Sequence, residues 1–208
     1  MNGTGACDPL EASSAADDDG AIIGRSRNEP EQFAVLFRRH AVAISRYATR
    51  RLGPQLAEDI VAETFLTAFR ERSRYDPART DAMPWLHGIA ANLIRRHHRD
   101  EVRWLRALAR TGCDPIAQSA ADLAEDRLTA DAVGRAVAAA LAALSARHRE
   151  VVLLVAWAEL TYDQAAEALG VPAGTVRSRM NRARQQLRGS LADVHSSQQD
   201  RSQEVSHA

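Results

Sequence analysis

The part of the sequence that most constrains the fold is residues 161–188, where two short helical segments are joined by a tight turn. Thr161 is a residue type that caps helix N-termini, and Gly170 can adopt the positive φ at which a helix often ends. Pro172 follows, and proline suits the first turn of a helix because its missing N–H is not needed there. The pattern predicts a helix-turn-helix, whose second helix is shaped to enter the major groove of DNA.

The second of these helices has two chemically different faces. At roughly 100° per residue, one apolar stripe predicts the buried side, formed by Val176, Met180, Ala183 and Leu187. The opposite side carries groups that can bind bases and phosphates: Thr175, Arg177, Ser178, Asn181, Arg182, Gln185 and Arg188, flanked by Arg179 and Arg184. Residues 171–190 hold five arginines and no acid, a local charge of +5 in a chain of formal net charge zero. The alternative is an ordinary solvated basic face.

The composition indicates an all-α protein. The chain has 208 residues, of which 45% are hydrophobic and only 5% aromatic, so its apolar content is aliphatic and rich in alanine. This length accommodates one large or two small domains. All 27 basic residues are arginine, which suits phosphate and guanine recognition, although a GC-rich genome accounts for the bias better.

The sequence shows no sign of membrane insertion or export. No apolar run approaches the roughly 20 residues that span a bilayer, and the acidic N-terminus lacks the pattern of a signal peptide. Cys7 and Cys113 stand far apart and outside any CxxC spacing, so neither a zinc site nor a disulfide framework is indicated. We therefore expect a cytoplasmic protein.

Charge is segregated along the chain. Residues 1–24 hold five acids and no arginine (−5), residues 85–110 hold six arginines against two acids (+4), and residues 111–131 hold five acids against one arginine (−4). Two basic regions are thus separated by an acidic connector. We expect two small helical domains at residues 29–110 and 127–189, a linker over 111–126, and disordered tails over 1–28 and 190–208.

The helix predicted from Gln55 to about Arg72 has an apolar residue on its outer side. Its buried stripe contains Val61, Phe65 and Phe69, whereas Ile60 is predicted to point away from them. The polar residues around Ile60 are Asp59, Glu63 and Thr64. An exposed apolar residue ringed by polar groups suggests a docking surface for another protein, and the alternative is that a helix of the same domain covers Ile60.

A loop over residues 75–81 leads into a second basic helix, which begins near Pro84. The side predicted to face outward carries His87, Gly88, Ala91, Asn92, Arg95, His98 and Arg99, and small residues beside arginines let a backbone approach phosphates. No acidic ligand joins the histidines, so we expect no metal site. The sequence offers no nucleophile with a base, no paired carboxylates and no phosphate-binding glycine loop, so we expect neither catalysis nor a cofactor.

Together these segments resemble a bacterial sigma factor of the sigma-70 family, of the two-domain extracytoplasmic-function (ECF) type. The resemblance covers residues 31–188. It depends on residues 56–69 and 84–99, which match the family's region 2, and on residues 144–154 and 161–184, which match region 4. One departure is Ala165, where the family usually has a large aliphatic residue, and this predicts looser packing or filling from elsewhere.

The resemblance implies a subunit that binds core RNA polymerase and promoter DNA, and it implies a role for each group of residues. The polymerase would be bound by Asp59, Ile60, Glu63 and Thr64. The −10 element would be met by Tyr75, Arg79, Asn92, Arg95, His98 and Arg99. The −35 element would be read by Thr175, Arg177, Ser178, Asn181, Arg182 and Arg184. An anti-sigma factor is a further implied partner that no residue identifies, and the alternative is a stand-alone helix-turn-helix regulator with an N-terminal sensor or dimerisation domain.

Overall fold

The computed structural model describes residues 17–111 and 124–206, and every regular element in these residues is a helix. The α-helices are α1 (Asp19–Arg25), α2 (Phe33–Leu52), α3 (Pro54–Glu71), α4 (Met83–Arg96), α5 (His98–Thr111), α6 (Ala124–Ala143), α7 (Ala146–Ala156), α8 (Tyr162–Leu169) and α9 (Ala173–Ser206). Short 3₁₀ turns occupy Pro30–Gln32 and Arg72–Arg74. The predicted all-α architecture is confirmed.

Helices α1 to α5 form the first helical group around one apolar core. Its fully buried side chains include Ile22, Leu36, Ile44, Leu86 and Ile94. A single residue joins α2 to α3: Gly53 has φ +84, a conformation that favours glycine, and Pro54 then opens α3. The two longest helices of this group are thereby folded back on each other and present one continuous outer surface.

Helices α6 to α9 form the second group, and α8 and α9 are the predicted helix-turn-helix. Thr161 and Gln164 form a reciprocal capping box at the start of α8, and Gly170 ends the helix in the left-handed conformation. The stripe predicted to be buried on α9 is buried at Val176, Met180 and Ala183. Ala165 is fully buried as well, so this small residue lies inside the packed joint between the helices.

The two groups are in direct contact, with α8 lying across α4. A Cβ atom at Gly88 would lie 2.5 Å from the carbonyl oxygen of Ala168, so the close approach of the helices requires glycine. Beside it, Arg79 forms an ion pair with Glu167, and the amide of Gln164 donates to the Asp81 carboxylate at 2.9 Å. The first group is therefore covered where α4 would otherwise meet solvent.

The structure contradicts the predicted outward position of three residues of α4, because His87, Gly88 and Ala91 are buried. Gly88 packs against Ala168 of α8, whereas the ring of His87 packs inside its own group against that of Tyr47 on α2, with centroids 5.1 Å apart. Burial lowers the pKa of His87 to about 4, so the ring is neutral, and its Nδ1 lies 2.9 Å from the Met83 carbonyl oxygen. Within the described residues no cluster of three candidate metal ligands is found.

A buried charge cluster also joins the two groups. Glu101 is only 1% exposed, and its carboxylate lies 2.7 Å from the guanidinium of Arg51 and 3.1 Å from that of Arg149. Arg149 also donates to the carbonyl oxygens of Leu141 and Leu144, at 2.8 and 2.6 Å. Nearby, Arg95 of α4 lies 3.2 Å from Glu150 of α7.

We expect the free energy of unfolding to fall as the pH drops below about 4.5. Burial raises the pKa of Glu101, but the charges and hydrogen bonds of Arg51 and Arg149 outweigh burial and hold that pKa below its usual value. A depressed pKa stabilises the fold above the unfolded-state pKa, and this stabilisation is lost as the carboxylate is protonated. Denaturant titrations at a series of pH values between about 3 and 7 would measure this fall in the free energy of unfolding. A free energy of unfolding that does not change with pH would contradict the prediction.

Described helices cross the expected boundaries of the tails and the linker. The predicted N-terminal tail is wrong from residue 17 onward, because α1 is folded there against the rest of the domain. Helix α9 continues to Ser206, where a disordered tail was predicted from residue 190, and α6 begins at Ala124 within the predicted linker. Residues 1–16 and 112–123 lie outside the described residues. Among the helices that the structure describes, none is both long and apolar enough to cross a membrane.

Candidate polymerase and promoter interface

The predicted −35 residues lie on the outer face of α9. Arg177, Ser178, Asn181, Arg182 and Arg184 are exposed, and Thr175 is half-buried near the start of the helix. The opposite side of α9 is fixed in the core, so these side chains are presented together by a rigid support. The N-terminal half of such a helix is the part that contacts base edges in a helix-turn-helix complex.

The predicted −10 residues divide into two groups. Asn92 and Arg99 are exposed at the end of α4 and the start of α5. Arg79 and Arg95 are also exposed, but in this structure they bind Glu167 and Glu150 of the second group. His98 is half-buried, with Nδ1 3.5 Å from the Glu101 carboxylate. Tyr75 and Arg79 thus belong to the loop before α4, and the other four residues lie near the junction of α4 and α5. The second group contacts both places, through Glu167 and Glu150.

Tyr75 lies inside the 75–81 loop, with 5% of its surface exposed. Its hydroxyl oxygen is 3.1 Å from the carbonyl oxygens of both Arg79 and Asp81, and its ring packs at 4.8 Å from that of Trp85. Burial, followed by the charge of Asp19, raises the pKa of Tyr75, so the hydroxyl keeps its proton and remains a donor. In this conformation Tyr75 holds the loop together from within.

Of the four predicted polymerase-docking residues on α3, two are exposed and two are buried. Asp59 and Glu63 are exposed, but Ile60 is 3% exposed and Thr64 is fully buried, with its hydroxyl donating to the Ile60 carbonyl oxygen at 2.6 Å. The prediction of an outward Ile60 is wrong because α3 packs against α2 on one side and α4 on another, which widens its buried face. The alternative, that the same domain covers Ile60, is confirmed.

The sequence reasoning missed the apolar residue that is exposed on α3. Leu66 is 47% exposed, three positions after Glu63 on the same side of the helix. Phe37 of α2 is exposed to the same degree, and its ring packs edge-on against Phe65 at 4.9 Å. The spacing of Leu66 from Glu63 was the available signal, because residues three apart on a helix are neighbours.

A second missed feature is the contact between α1 and the 75–81 loop. Asp19 is buried, and its carboxylate binds His40 of α2 and the backbone N–H of Ala82 just after the loop. Burial of an acid in this way requires partners. The available signal was Asp18 followed by Ile22 and Ile23, an N-cap residue before apolar positions.

Two family models match the chain in the same order as the two helical groups. Residues 36–104 match Sigma-70 region 2, and residues 134–187 match Sigma-70, region 4. The first match covers the surfaces on α3 and α4, and the second covers the helix-turn-helix.

Named relatives are similar over most of this chain. The ECF RNA polymerase sigma factor SigE of Mycolicibacterium smegmatis is 38% identical over 169 residues, which cover 78% of this chain and 62% of that protein. The RNA polymerase sigma factor CarQ of Myxococcus xanthus is 31% identical over 165 residues, covering 79% and 91%. SigL of Mycobacterium tuberculosis, another ECF sigma factor, is 31% identical over 174 residues, covering 83% and 96%.

Solved structures share the fold. CnrH, solved in complex with the cytosolic domain of CnrY, has a TM-score of 0.60 at 26% identity, covering 85% of this chain and 99% of that one. The sigma factor RpoE from Bartonella quintana has a TM-score of 0.55 at 23% identity, covering 78% and 98%. Matches to both regions do not favour a stand-alone regulator. The chain belongs to the ECF sigma factors of the sigma-70 family, which direct RNA polymerase to specific promoters to initiate transcription.

Proposed function

We propose that this sigma factor binds core RNA polymerase through the outer face of α3 and reads the two promoter elements with separate surfaces. The polymerase-binding surface consists of Asp59, Glu63 and Leu66. The −35 element is read by the outer face of α9, and the −10 element by the 75–81 loop with the adjoining ends of α4 and α5. The observation that carries the proposal is the exposed arginine-rich face of α9, held on a capped helix-turn-helix whose other side is buried.

The −35 surface combines base readout with phosphate binding. Arg182 is exposed about 130° around α9 from the centre of the buried stripe, and Arg177 about 90° from it, where long planar side chains can reach base edges. A bidentate arginine–guanine contact discriminates against a wrong base by about 1–3 kcal/mol. Arg184 lies at the flank of this face, where the DNA backbone passes, so it contributes charge with little sequence preference.

Arg182→Ala and Arg184→Ala are therefore expected to have different effects. Arg182→Ala should weaken transcription by about 1–3 kcal/mol at promoters with the preferred −35 base and relax the preference at that position. Arg184→Ala should lower promoter binding evenly across sequences and reduce the salt slope by about one. Transcription in vitro with core polymerase over a promoter library randomised at −35 measures both, and equal, sequence-blind losses would contradict base readout by Arg182.

The −10 surface becomes free only when the second group leaves α4. The −10 and −35 elements are named by their positions on the DNA, so they lie roughly 25 base pairs apart. This is about 85 Å at about 3.4 Å per base pair. Two packed domains of this size, each with a radius of gyration of about 11 Å, cannot bridge that distance. Arg79 and Arg95 must then exchange Glu167 and Glu150 for DNA as the domains separate.

The chain acts in this proposal through binding alone and in the cytoplasm, where polymerase and DNA are found. The chemistry of RNA synthesis belongs to core polymerase, and this subunit supplies position and promoter choice. CnrH was solved with a second protein, the cytosolic domain of CnrY. We propose that this chain also has an inhibitory protein partner, an anti-sigma factor, which binds the sigma factor in competition with core polymerase.

A further inference from the structure

We propose that Asp19 is a positioning residue for −10 recognition, because it anchors the 75–81 loop to α1 and so fixes the shape in which the loop meets DNA. The inference rests on the proposed role of that loop as part of the −10 surface. Asp19 itself touches neither DNA nor polymerase in this proposal. It acts through the backbone of the loop.

The side chain of Asp19 ties the end of the loop to α2. Its Oδ2 accepts the backbone N–H of Ala82 at 3.0 Å and lies 2.7 Å from Nε2 of His40. Its Oδ1 accepts a hydrogen bond from the guanidinium of Arg39 at 2.9 Å. Asp19 is 6% exposed, and a buried carboxylate with charge-assisted bonds holds its partners in one geometry.

The backbone of α1 also contacts the loop. The N–H of Asp19 donates to the Thr80 carbonyl oxygen at 3.1 Å. At Gly20, a Cβ atom would lie 2.3 Å from the carbonyl oxygen of Pro77 and 2.4 Å from that of Arg79. Helix and loop therefore touch backbone to backbone, which only glycine permits at this position.

The start of the loop is held from the same segment. Arg27, just after α1, donates to the Tyr75 carbonyl oxygen at 2.6 Å. Both ends and the middle of the loop are thus fastened to residues 19–27. The side chains from Asp76 to Asp81 lie on the exposed side of the loop, where Arg79 and Asp81 contact Glu167 and Gln164 of α8. The inner side of the loop is fixed by α1, and the outer side becomes available to a ligand once the second group leaves it.

The test measures promoter selectivity with the full chain and core polymerase. Asp19→Asn keeps the size of the side chain and removes its charge, and we expect selectivity at −10 to fall about tenfold, the equivalent of one specific contact. The preference at −35 and the affinity for core polymerase should stay unchanged. Transcription over two libraries, one randomised at −10 and one at −35, gives both readouts.

A second variant reaches the loop without removing the carboxylate. Gly20→Ala places a Cβ atom against the loop backbone and should cause the same loss of selectivity at −10. It therefore tests the inference even if Asp19→Asn does not fold. Asp17→Asn is the matched control: it removes a charge that pairs with Arg25 within the same segment, at 2.5 Å, and should leave −10 selectivity unchanged.

Two results would overturn the inference. One is an equal loss at −10 and −35 in Asp19→Asn and Gly20→Ala, which a general loss of stability would cause, and the other is unchanged −10 selectivity in both. Arg79→Ala separates this inference from the function on which it rests. If only Arg79→Ala alters selectivity at −10, the positioning role of Asp19 is wrong but the −10 role of the loop stands. If none of the three variants alters this selectivity, the loop is not the −10 surface and both proposals are wrong.

Discussion

Leu66→Asp is expected to abolish binding to core RNA polymerase while the helical fold stays intact. Leu66 is 47% exposed on α3, with exposed Glu63 on the same side of the helix. An apolar side chain that becomes fully desolvated at the centre of an interface costs about 2–4 kcal/mol when it is lost, and the proposed surface gives Leu66 that position. The new carboxylate adds a desolvation cost. Titration of labelled sigma factor with core polymerase should therefore show a loss of affinity of at least about thirtyfold.

The same substitution at two other positions makes the test specific. Ile60→Asp should unfold the first helical group, since it buries a charge without a partner in a position that is 3% exposed. Val42→Asp is the matched surface control, because Val42 is 60% exposed and lies about 140° from Phe37 around α2. It should leave polymerase binding unchanged. If Leu66→Asp keeps full affinity for core polymerase and a normal melting temperature, α3 is not part of the docking surface.

Glu101→Gln is expected to cost about 3–5 kcal/mol of folding stability. The substitution leaves Arg51 and Arg149 buried without the carboxylate that neutralises them, and an uncompensated buried charge is far more costly than a missing surface pair. In a chain of this length each kcal/mol lowers the melting temperature by roughly 2–4 °C. Differential scanning calorimetry should show a fall of about 6–20 °C.

The neighbouring Asp100 supplies the control for this effect. Its carboxylate pairs with Arg103 at 2.8 Å, but Arg103 is largely exposed, so the pair contributes little. Asp100→Asn should change stability by less than about 1 kcal/mol. Equal melting temperatures for Glu101→Gln and the unmodified protein would mean that the buried cluster does not hold the two groups in the arrangement described here.

The sequence was sufficient where a helix has a single buried side. The apolar stripe of α9 was predicted from spacing alone, because one side of this helix packs and the other faces solvent. The capping residues of α8 were equally readable, since Thr161 and Gly170 act within one turn of the chain. Local interactions of this kind depend on sequence neighbours, which is why residue order reveals them.

The sequence was insufficient where distant elements decide exposure. Ile60 is buried because α3 has two packing partners, and Gly88 is buried because α8, far along the chain, lies across it. Helix α1 has only seven residues, too few for periodicity to show, and its order depends on hydrogen bonds to a loop some sixty residues later. Each of these positions is determined by contacts that spacing within one helix does not encode.

Under the proposed function, the contacts of Arg79 and Arg95 with the second helical group would couple polymerase binding to promoter binding. Each arginine can neutralise either a glutamate of its own chain or a DNA phosphate, so the free energy of the closed arrangement is subtracted from promoter affinity. When only a small fraction of the sigma factor has separated domains that can bind DNA, the apparent affinity for promoter DNA is reduced by that fraction. A polymerase that bound only the separated domains would remove this penalty, and by reciprocity promoter DNA would then strengthen the binding of the sigma factor to polymerase.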